Sequence, residues 1–308
     1  MLRYTVERIL LIPPTLLAMS LVIFAVMHAT PGSPLQPEGA NPLSPAEQAN
    51  LAQAWGLDRP LWEQYLIFLS KAVRLDFGVS YNYRTTPVTE IIARTFPVSL
   101  HLGTMAMLLA VVAGMALGIL AAVNQNGPVD YACTFTAMLG VATPNFVLAV
   151  LLIIGFVMAI PLIPRTGGWA SPVDWILPTV ALAMAPLGTI ARYTRSSMID
   201  VIRADYVRTA RAKGLDERRV MVGHVLKNAL IPPVTILGPL FAALGTGSFF
   251  VEYIFRVPGM GRFFVQSLVA RDYPMIMAVF LLYGAFLTLM TLAMDVVYAV
   301  LDPRIRFE

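Results

Sequence analysis

Six apolar runs set the terms for this chain: Ile9 to Ala29, about Val98 to Val123, Thr134 to Ile160, Trp175 to Tyr193, Ile231 to Val251 and Met275 to Leu301. About twenty helical residues cover the roughly 30 Å hydrocarbon core of a bilayer. In lipid, a helix satisfies its own backbone hydrogen bonds, so each run reads as a transmembrane helix. Composition agrees, with 57% hydrophobic and 13% charged residues, against about 25% charged in a soluble domain. The fold class is therefore an all-α polytopic membrane protein with six spans, which excludes a soluble enzyme.

The charges that remain read as topology signals. Arg3 and Arg8 precede the first run, nine Lys/Arg against four Asp/Glu lie between Arg192 and Lys227, and Arg304 and Arg306 close the chain. Basic loops stay in the cytoplasm, which puts both termini there. The formal charge of +4 sits beside apolar runs rather than in a basic domain, so it points to membrane lipid and not to nucleic acid. The run after Arg8 is too long for a signal-peptide core, and Met27-His28-Ala29 is not a small-x-small cleavage site, so the first helix reads as an uncleaved anchor. Cys133 is alone, and His28, His101 and His224 show no ligand spacing, so no metal site is expected.

The expected organisation is an N-terminal span in residues 1–30, an extracytoplasmic insert in 31–94, a five-helix core in 95–302 and a cytoplasmic tail in 303–308. In the insert, Ser44, Pro45 and Glu47 form a capping-box signature. Leu61, Trp62, Tyr65, Leu66, Phe68, Leu69 and Val73 suit a second, amphipathic helix. These helices are expected to lie against the membrane surface or a partner. Asn124 to Cys133 reads as a short loop. Gly114 and Gly118 form a small-xxx-small pair suited to close helix packing, and prolines within or near the spans, Pro144, Pro178 and Pro186 among them, can kink or end helices.

One charged stretch stands apart, Asp205-Tyr-Val-Arg-Thr-Ala-Arg-Ala-Lys-Gly214. Ala210 and Gly214 lie four apart and offer a face without bulk, while Arg208, Arg211 and Lys213 surround it with charge. Gly214 suits a helix C-terminus and Asp216 the N-cap of a following helix. Two readings fit, a helix that docks a partner and a basic loop on an anionic leaflet. Glu252, Arg256, Gly259 and Arg262 flank the turn Pro258-Gly259-Met260-Gly261, which reads as an outer gate or a binding-protein contact, or else as a turn capped by charges. Gly140, Asn145 and Gly238 are candidates to border a translocation path, with packing as the alternative. Asp295 is the clearest charge within a run. It suits a proton relay or, two turns from the end, a structural ion pair with a base such as Arg304.

The stretch "DYVRTARAKGL" with Pro232 eighteen residues after Gly214 resembles the peptide-family form of the EAA loop in permeases of binding-protein-dependent ABC importers. "MLRY", "TPGSP", "DFGVSY", "RTFPVSL", "TRSSMIDV", "VEYIFRVPGMGR", "RDYPM" and "LDPRIRF" resemble the same dipeptide/oligopeptide/nickel family over essentially the whole chain. Length, "DFGVSYNY" and the short loop "IPRTGGW" are most similar to B-type chains of its oligopeptide branch. Arg208 stands where the wider family has glutamate, a departure the peptide branch shares.

The resemblance implies a type I ABC importer transmembrane fold. It also implies a coupling helix, comprising Arg203, Asp205, Tyr206, Arg208, Thr209, Ala210, Arg211, Lys213 and Gly214 within the loop 195–230, that enters an ATPase cleft. The implied partners are a homologous second permease, two cytoplasmic ATPases that bind ATP and Mg, and an extracytoplasmic peptide-binding protein. This chain itself holds no cofactor and no catalytic residue. Consistently, no Gly-x-x-x-x-Gly-Lys-Ser/Thr loop, G-x-S-x-G elbow or H-E-x-x-H pair occurs in it.

Dipeptides, nickel chelates, glutathione or opines are the rival solutes for the same machine, and a proton-coupled carrier or a membrane scaffold are rivals of another class. Protease added to the outside of intact cells is expected to cut between Pro31 and Arg94. Protection there, with cleavage between Arg192 and Lys227, reverses the topology.

Overall fold

A computed structural model of the chain describes residues 2–35, 44–83, 86–160 and 167–301. The side chains of residues 2–5 and 295–301 lie outside that description, as do Arg304 and Arg306. Fifteen helices follow one another among the described residues: α1 Leu2–Ala29, α2 Pro45–Trp55, α3 Leu61–Ala72, α4 Val88–Val123, α5 Pro128–Ala142, α6 Asn145–Ile153, α7 Pro172–Ile202, α8 Asp205–Ala212, α9 Glu217–Arg219, α10 Lys227–Ala229, α11 Ile231–Thr235, α12 Leu237–Gly245, α13 Phe249–Ile254, α14 Gly261–Ala270 and α15 Tyr273–Leu301. Two π-helical segments, Ile154–Ala159 and Val220–Leu226, extend α6 and join α9 to α10.

Five helical stretches are long and apolar enough to cross a membrane: Val6–Ala29, Val88–Val123, Pro172–Ile202, Leu237–Ile254 and Tyr273–Met294. The third expected span is broken, since α5 and the stretch Asn145–Ala159 meet at 107°. The cause is local. Pro144 pushes the residue before it out of the helical region, and Thr143 is extended at φ −88°, ψ 120°. Counting the bent pair as one crossing gives six. Helix α5 also begins five residues before Cys133, so the expected loop 124–133 shrinks to the turn before Pro128. Pro97, Pro178 and Pro186, by contrast, sit inside continuous helices.

The centre of the bundle is built on small residues. A Cβ added to Gly114 would lie 2.8 Å from the Leu187 carbonyl oxygen, and one on Gly118 would lie 2.6 Å from that of Ala191. Helix α4 thus lies directly on α7, as the small-xxx-small spacing predicts. Helix α5 crosses the next face of α7, where Gly188 meets the Ala137 carbonyl and Gly140 that of Met184. Leu102, Ala106, Ala110, Leu187 and Ile190 fill the core between these helices.

The two ends of the bundle differ. At one end the insert, the N-termini of α4, α7 and α15 and the 247–261 turn gather. At the other, α4 and α7 end beside α8–α10. At the insert end, Met27, Tyr273, Ile276 and Met277 form an apolar cluster with Phe24, Leu57, Phe68 and Tyr81, and Trp55 stacks on Tyr81 at 4.0 Å. The capping box holds α2 as expected, with Ser44 N–H donating to Glu47 Oε2 at 2.9 Å and Glu47 N–H to Ser44 Oγ at 3.3 Å.

Gly188→Leu is expected to force α5 and α7 apart, because the new Cβ would start 2.2 Å from the Ala137 oxygen; overpacking of this kind costs about 1–3 kcal/mol. Gly155→Ala, where nothing lies within 4 Å, serves as the tolerated control. Size-exclusion profiles of both variants in detergent check this.

Candidate functional site

The charged stretch singled out in the sequence folds as a helical hairpin continuous with the bundle. Helix α7 runs 31 residues to Ile202, turns through Arg203 and Ala204, and restarts as α8. At the end of α8, Gly214 has φ +74°. There, Gly214 N–H donates to the Arg211 carbonyl at 2.9 Å and Leu215 N–H to that of Ala210 at 3.4 Å. This is a Schellman closure, and its left-handed residue is the reason for glycine. Asp216 then caps α9, its carboxylate accepting from Arg218 N–H at 3.1 Å. Both end signals are where the sequence places them.

Val207 and Ala210 are buried and pack with Val220, Val225 and Ala229 of the returning arm and with Met198 and Ala122 at the ends of α7 and α4. Ala210 therefore does not share an open face with Gly214. It belongs to the root of the hairpin, because the 3.6-residue period turns it to the same side as Val207. Gly214 alone offers space, with nothing within 4 Å of an added Cβ.

The exposed side carries Tyr206, Arg208, Thr209, Arg211, Lys213 and Asp205. Arg211 grips Glu217 with two hydrogen bonds of 2.7 and 3.0 Å, bracing the outgoing arm against the returning one. That bond holds the Glu217 carboxyl below its usual value. Asn228 Nδ2 donates to Tyr206 Oη at 3.1 Å, a second brace. Arg208 lies 3.6 Å from Asp205, and both are well exposed, so this pair contributes little to stability. Arg203 reaches Gln125 Oε1 at 3.2 Å, tying the hairpin to the turn between α4 and α5.

Sequence reasoning missed the strongest electrostatic contact at this end. Arg195 on α7 donates twice to Asp130 on α5, at 2.6 and 2.7 Å. Asp130 is buried and also accepts from Asn126 N–H and Thr134 Oγ1. Asp130 stands in the first turn of a helix begun by Pro128, where a carboxylate is favoured. That placement was the available signal. Its pairing with a residue 65 positions away was not.

At the opposite end, the residues expected at a gate separate into two groups. Glu252 is 1% exposed. It accepts Ser99 Oγ–H at 2.7 Å, Gly261 N–H at 2.7 Å and Ser248 N–H at 3.3 Å, while Ser99 Oγ accepts Met260 N–H at 2.7 Å. A Cβ on Gly259 would sit 2.5 Å from both the Glu252 carboxylate and Ser99 Oγ. Glu252 and Gly259 lie inside the turn and hold it together. Arg256 and Arg262 are exposed, with the Arg262 guanidinium 4.7 Å from the Phe263 ring.

A second buried carboxylate, Asp272, accepts from Ser80 Oγ, Tyr81 N–H and Asn82 N–H and caps α15 at Met275 N–H. Burial, with Asp272 adding, pushes the Tyr81 hydroxyl above its usual value.

The candidate path residues fall mostly at helix crossings. Gly140 meets Met184, and Gly238 meets Met290 and Met294 of α15, so each backs closely onto a neighbouring helix. Asn145 is half-buried and donates to Ser248 Oγ at 3.4 Å. Asp295 lies in α15, but its side chain lies outside the described residues.

Residues 114–307 match the family described as "Binding-protein-dependent transport system inner membrane component", and residues 1–103 match the N-terminal region of such membrane components. The chain is similar to the dipeptide transport system permease protein DppB of Bacillus subtilis, at 44% identity over 100% of this chain and 99% of that protein. It is also similar to the oligopeptide transport system permease proteins OppB of Salmonella typhimurium, at 41%, and Escherichia coli, at 40%, each over 100% of both chains. Among solved structures, an amino acid ABC transporter crystallised with histidines shares the fold, with a TM-score of 0.50 and 19% identity over 70% of this chain and 95% of that one.

Asp130→Ala is expected to lower the thermal stability of the detergent-solubilised chain by about 3 kcal/mol, since it strands a partly buried Arg195. Asp130→Arg with Arg195→Asp is expected to recover part of that loss. Thermal unfolding of the single and paired variants measures both.

Proposed function

Because the chain belongs to the family of inner-membrane components of binding-protein-dependent transport systems, we propose that it is the permease subunit of an ATP-driven importer that takes oligopeptides from an extracytoplasmic binding protein. The chain is not an enzyme. A homologous second permease completes the path, and two ATPase subunits supply ATP hydrolysis with its Mg. Both termini are cytoplasmic, residues 31–94 lie outside, and the five-helix core of 95–302 carries the 195–230 loop inward.

The observation that carries this reading is the hairpin geometry. Val207 and Ala210 lock α8 onto the ends of α7 and α4, and Arg211–Glu217 braces its two arms. A push on α8 then reaches α7 without a flexible joint, and Arg195–Asp130 passes it to α5. Tyr206, Arg208, Thr209, Lys213 and Gly214 remain outward for an ATPase cleft. Such a helix supplies no energy. It biases a bistable bundle through contacts that differ between the two ATPase states. Arg256 and Arg262 are the surface residues for a binding-protein contact, and Asn145 is the remaining candidate on the path.

Import of dipeptides is the second reading, favoured by the 44% identity to a dipeptide permease protein. Uptake of labelled dipeptides against labelled tetra- and pentapeptides separates the two.

Gly214→Trp and Gly214→Ala both strain the left-handed backbone, by about 1–2 kcal/mol, but only tryptophan adds bulk on the open side. The tryptophan variant is expected to insert normally yet lose ATPase subunits on purification and lose peptide uptake, while the alanine variant keeps both. ATPases that stay bound to Gly214→Trp with full uptake overturn the docking assignment.

A further inference from the structure

Helix α3 has two apolar sides, and among the described residues only one of them meets the rest of the chain. On that side, Phe68 packs into the cluster around Met27 and Tyr273. Tyr65 Oη lies 2.9 Å from Ser20 Oγ and donates to the Leu17 carbonyl at 3.4 Å, and the Tyr65 and Phe24 rings are 5.2 Å apart. On the other side, Trp62 is 66% exposed, Leu66 55% and Val73 85%. Trp62, Leu66 and Val73 lie at i, i+4 and i+11, a spacing that puts them on one helical stripe.

The level of this contact on α1 identifies what covers the stripe. Phe24 lies five residues before the end of α1 at Ala29, which at 1.5 Å per residue is about 7–8 Å down the span, and the Tyr65 hydroxyl reaches deeper still, to Ser20 and Leu17. Amphipathic helices lying in a membrane interface rest about 5–10 Å into the headgroup and acyl boundary. Val22 and Val26 of α1 are exposed at this level, so the stripe on α3 continues the apolar flank of a transmembrane helix. Lys71 and Arg74 are exposed at the C-terminal end of α3, where their long stems can lift the charges to phosphate level. Tryptophan is itself enriched at this depth.

We propose that α3 is an interfacial anchor, with its Trp62–Leu66–Val73 stripe in the acyl region of the leaflet at the C-terminal end of α1 and lipid, not protein, as its occupant. The inference needs only a membrane-spanning α1 and stands apart from the assignment of α8.

Nitroxide labels on Trp62→Cys, Leu66→Cys and, on the opposite side of the helix, Lys71→Cys, each in a Cys133→Ala background, test it in the assembled transporter in phosphatidylcholine and phosphatidylglycerol liposomes. Collisions with oxygen, which concentrates in lipid, are compared with collisions with a water-soluble nickel chelate. Oxygen collisions are expected to exceed nickel collisions at 62 and 66, with the order reversed at 71. Nickel dominating at 62 and 66 places the stripe in water and overturns the proposal. Low collision rates with both reagents there place the stripe under a protein partner, the second permease or the binding protein, and overturn it equally.

Discussion

The close approach of α4 and α7 is the constraint on which the rest of the molecule depends. In lipid, apolar side chains gain little by leaving one hydrocarbon for another, so helices hold together by packing and by satisfied polar groups. Gly114 and Gly118 bring the α4 backbone against α7, while Gly140 and Gly188 do the same for α5. With three helices fixed so tightly, the end of α7 becomes a rigid platform. The α8 hairpin inherits its direction from that platform instead of hanging from a loose loop.

Polar contacts then finish what packing begins. Asp130, Glu252 and Asp272 are each at most 2% exposed, and each accepts several hydrogen bonds. In a medium of low dielectric such groups are costly alone and specific when fully partnered. Each fixes one junction: Asp130 joins α5 to α7, Glu252 joins the 247–261 turn to α4, and Asp272 joins the insert to α15. The family likeness and the hairpin geometry converge here, because a permease must turn one small displacement into a change in several helices.

Features set by local chemistry were legible in the sequence. The spans follow from apolar length, Ser44–Glu47 from capping chemistry, Gly214 and Asp216 from helix-end chemistry, and Gly114–Gly118 from spacing. What failed was knowledge of which side a residue faces. Ala210 and Gly214 are four apart and look like one patch, yet the hairpin turns Ala210 inward. Glu252 and Gly259 look like surface furniture of a turn, yet Ser99, some 150 residues earlier, draws them inside. The bend at Thr143–Pro144 was foreshadowed by its proline, but Pro178 and Pro186 carry the same signal inside an unbroken α7. Tertiary packing decided between them.

The buried contacts also imply an order of events in biosynthesis. Glu252 finds Ser99 across 153 positions and Asp272 finds Ser80 across 192, whereas the hairpin's own brace, Arg211 to Glu217, spans six. Contacts of long sequence separation close late because their loops carry the larger entropy cost. The α8 hairpin can therefore be complete while the opposite end of the bundle still waits for α15, with Ser80 holding only its local partners, Tyr83 and Thr86. A chain interrupted before Asp272 would present a finished hairpin on an unfinished bundle, lacking the carboxylate that ties the insert to α15.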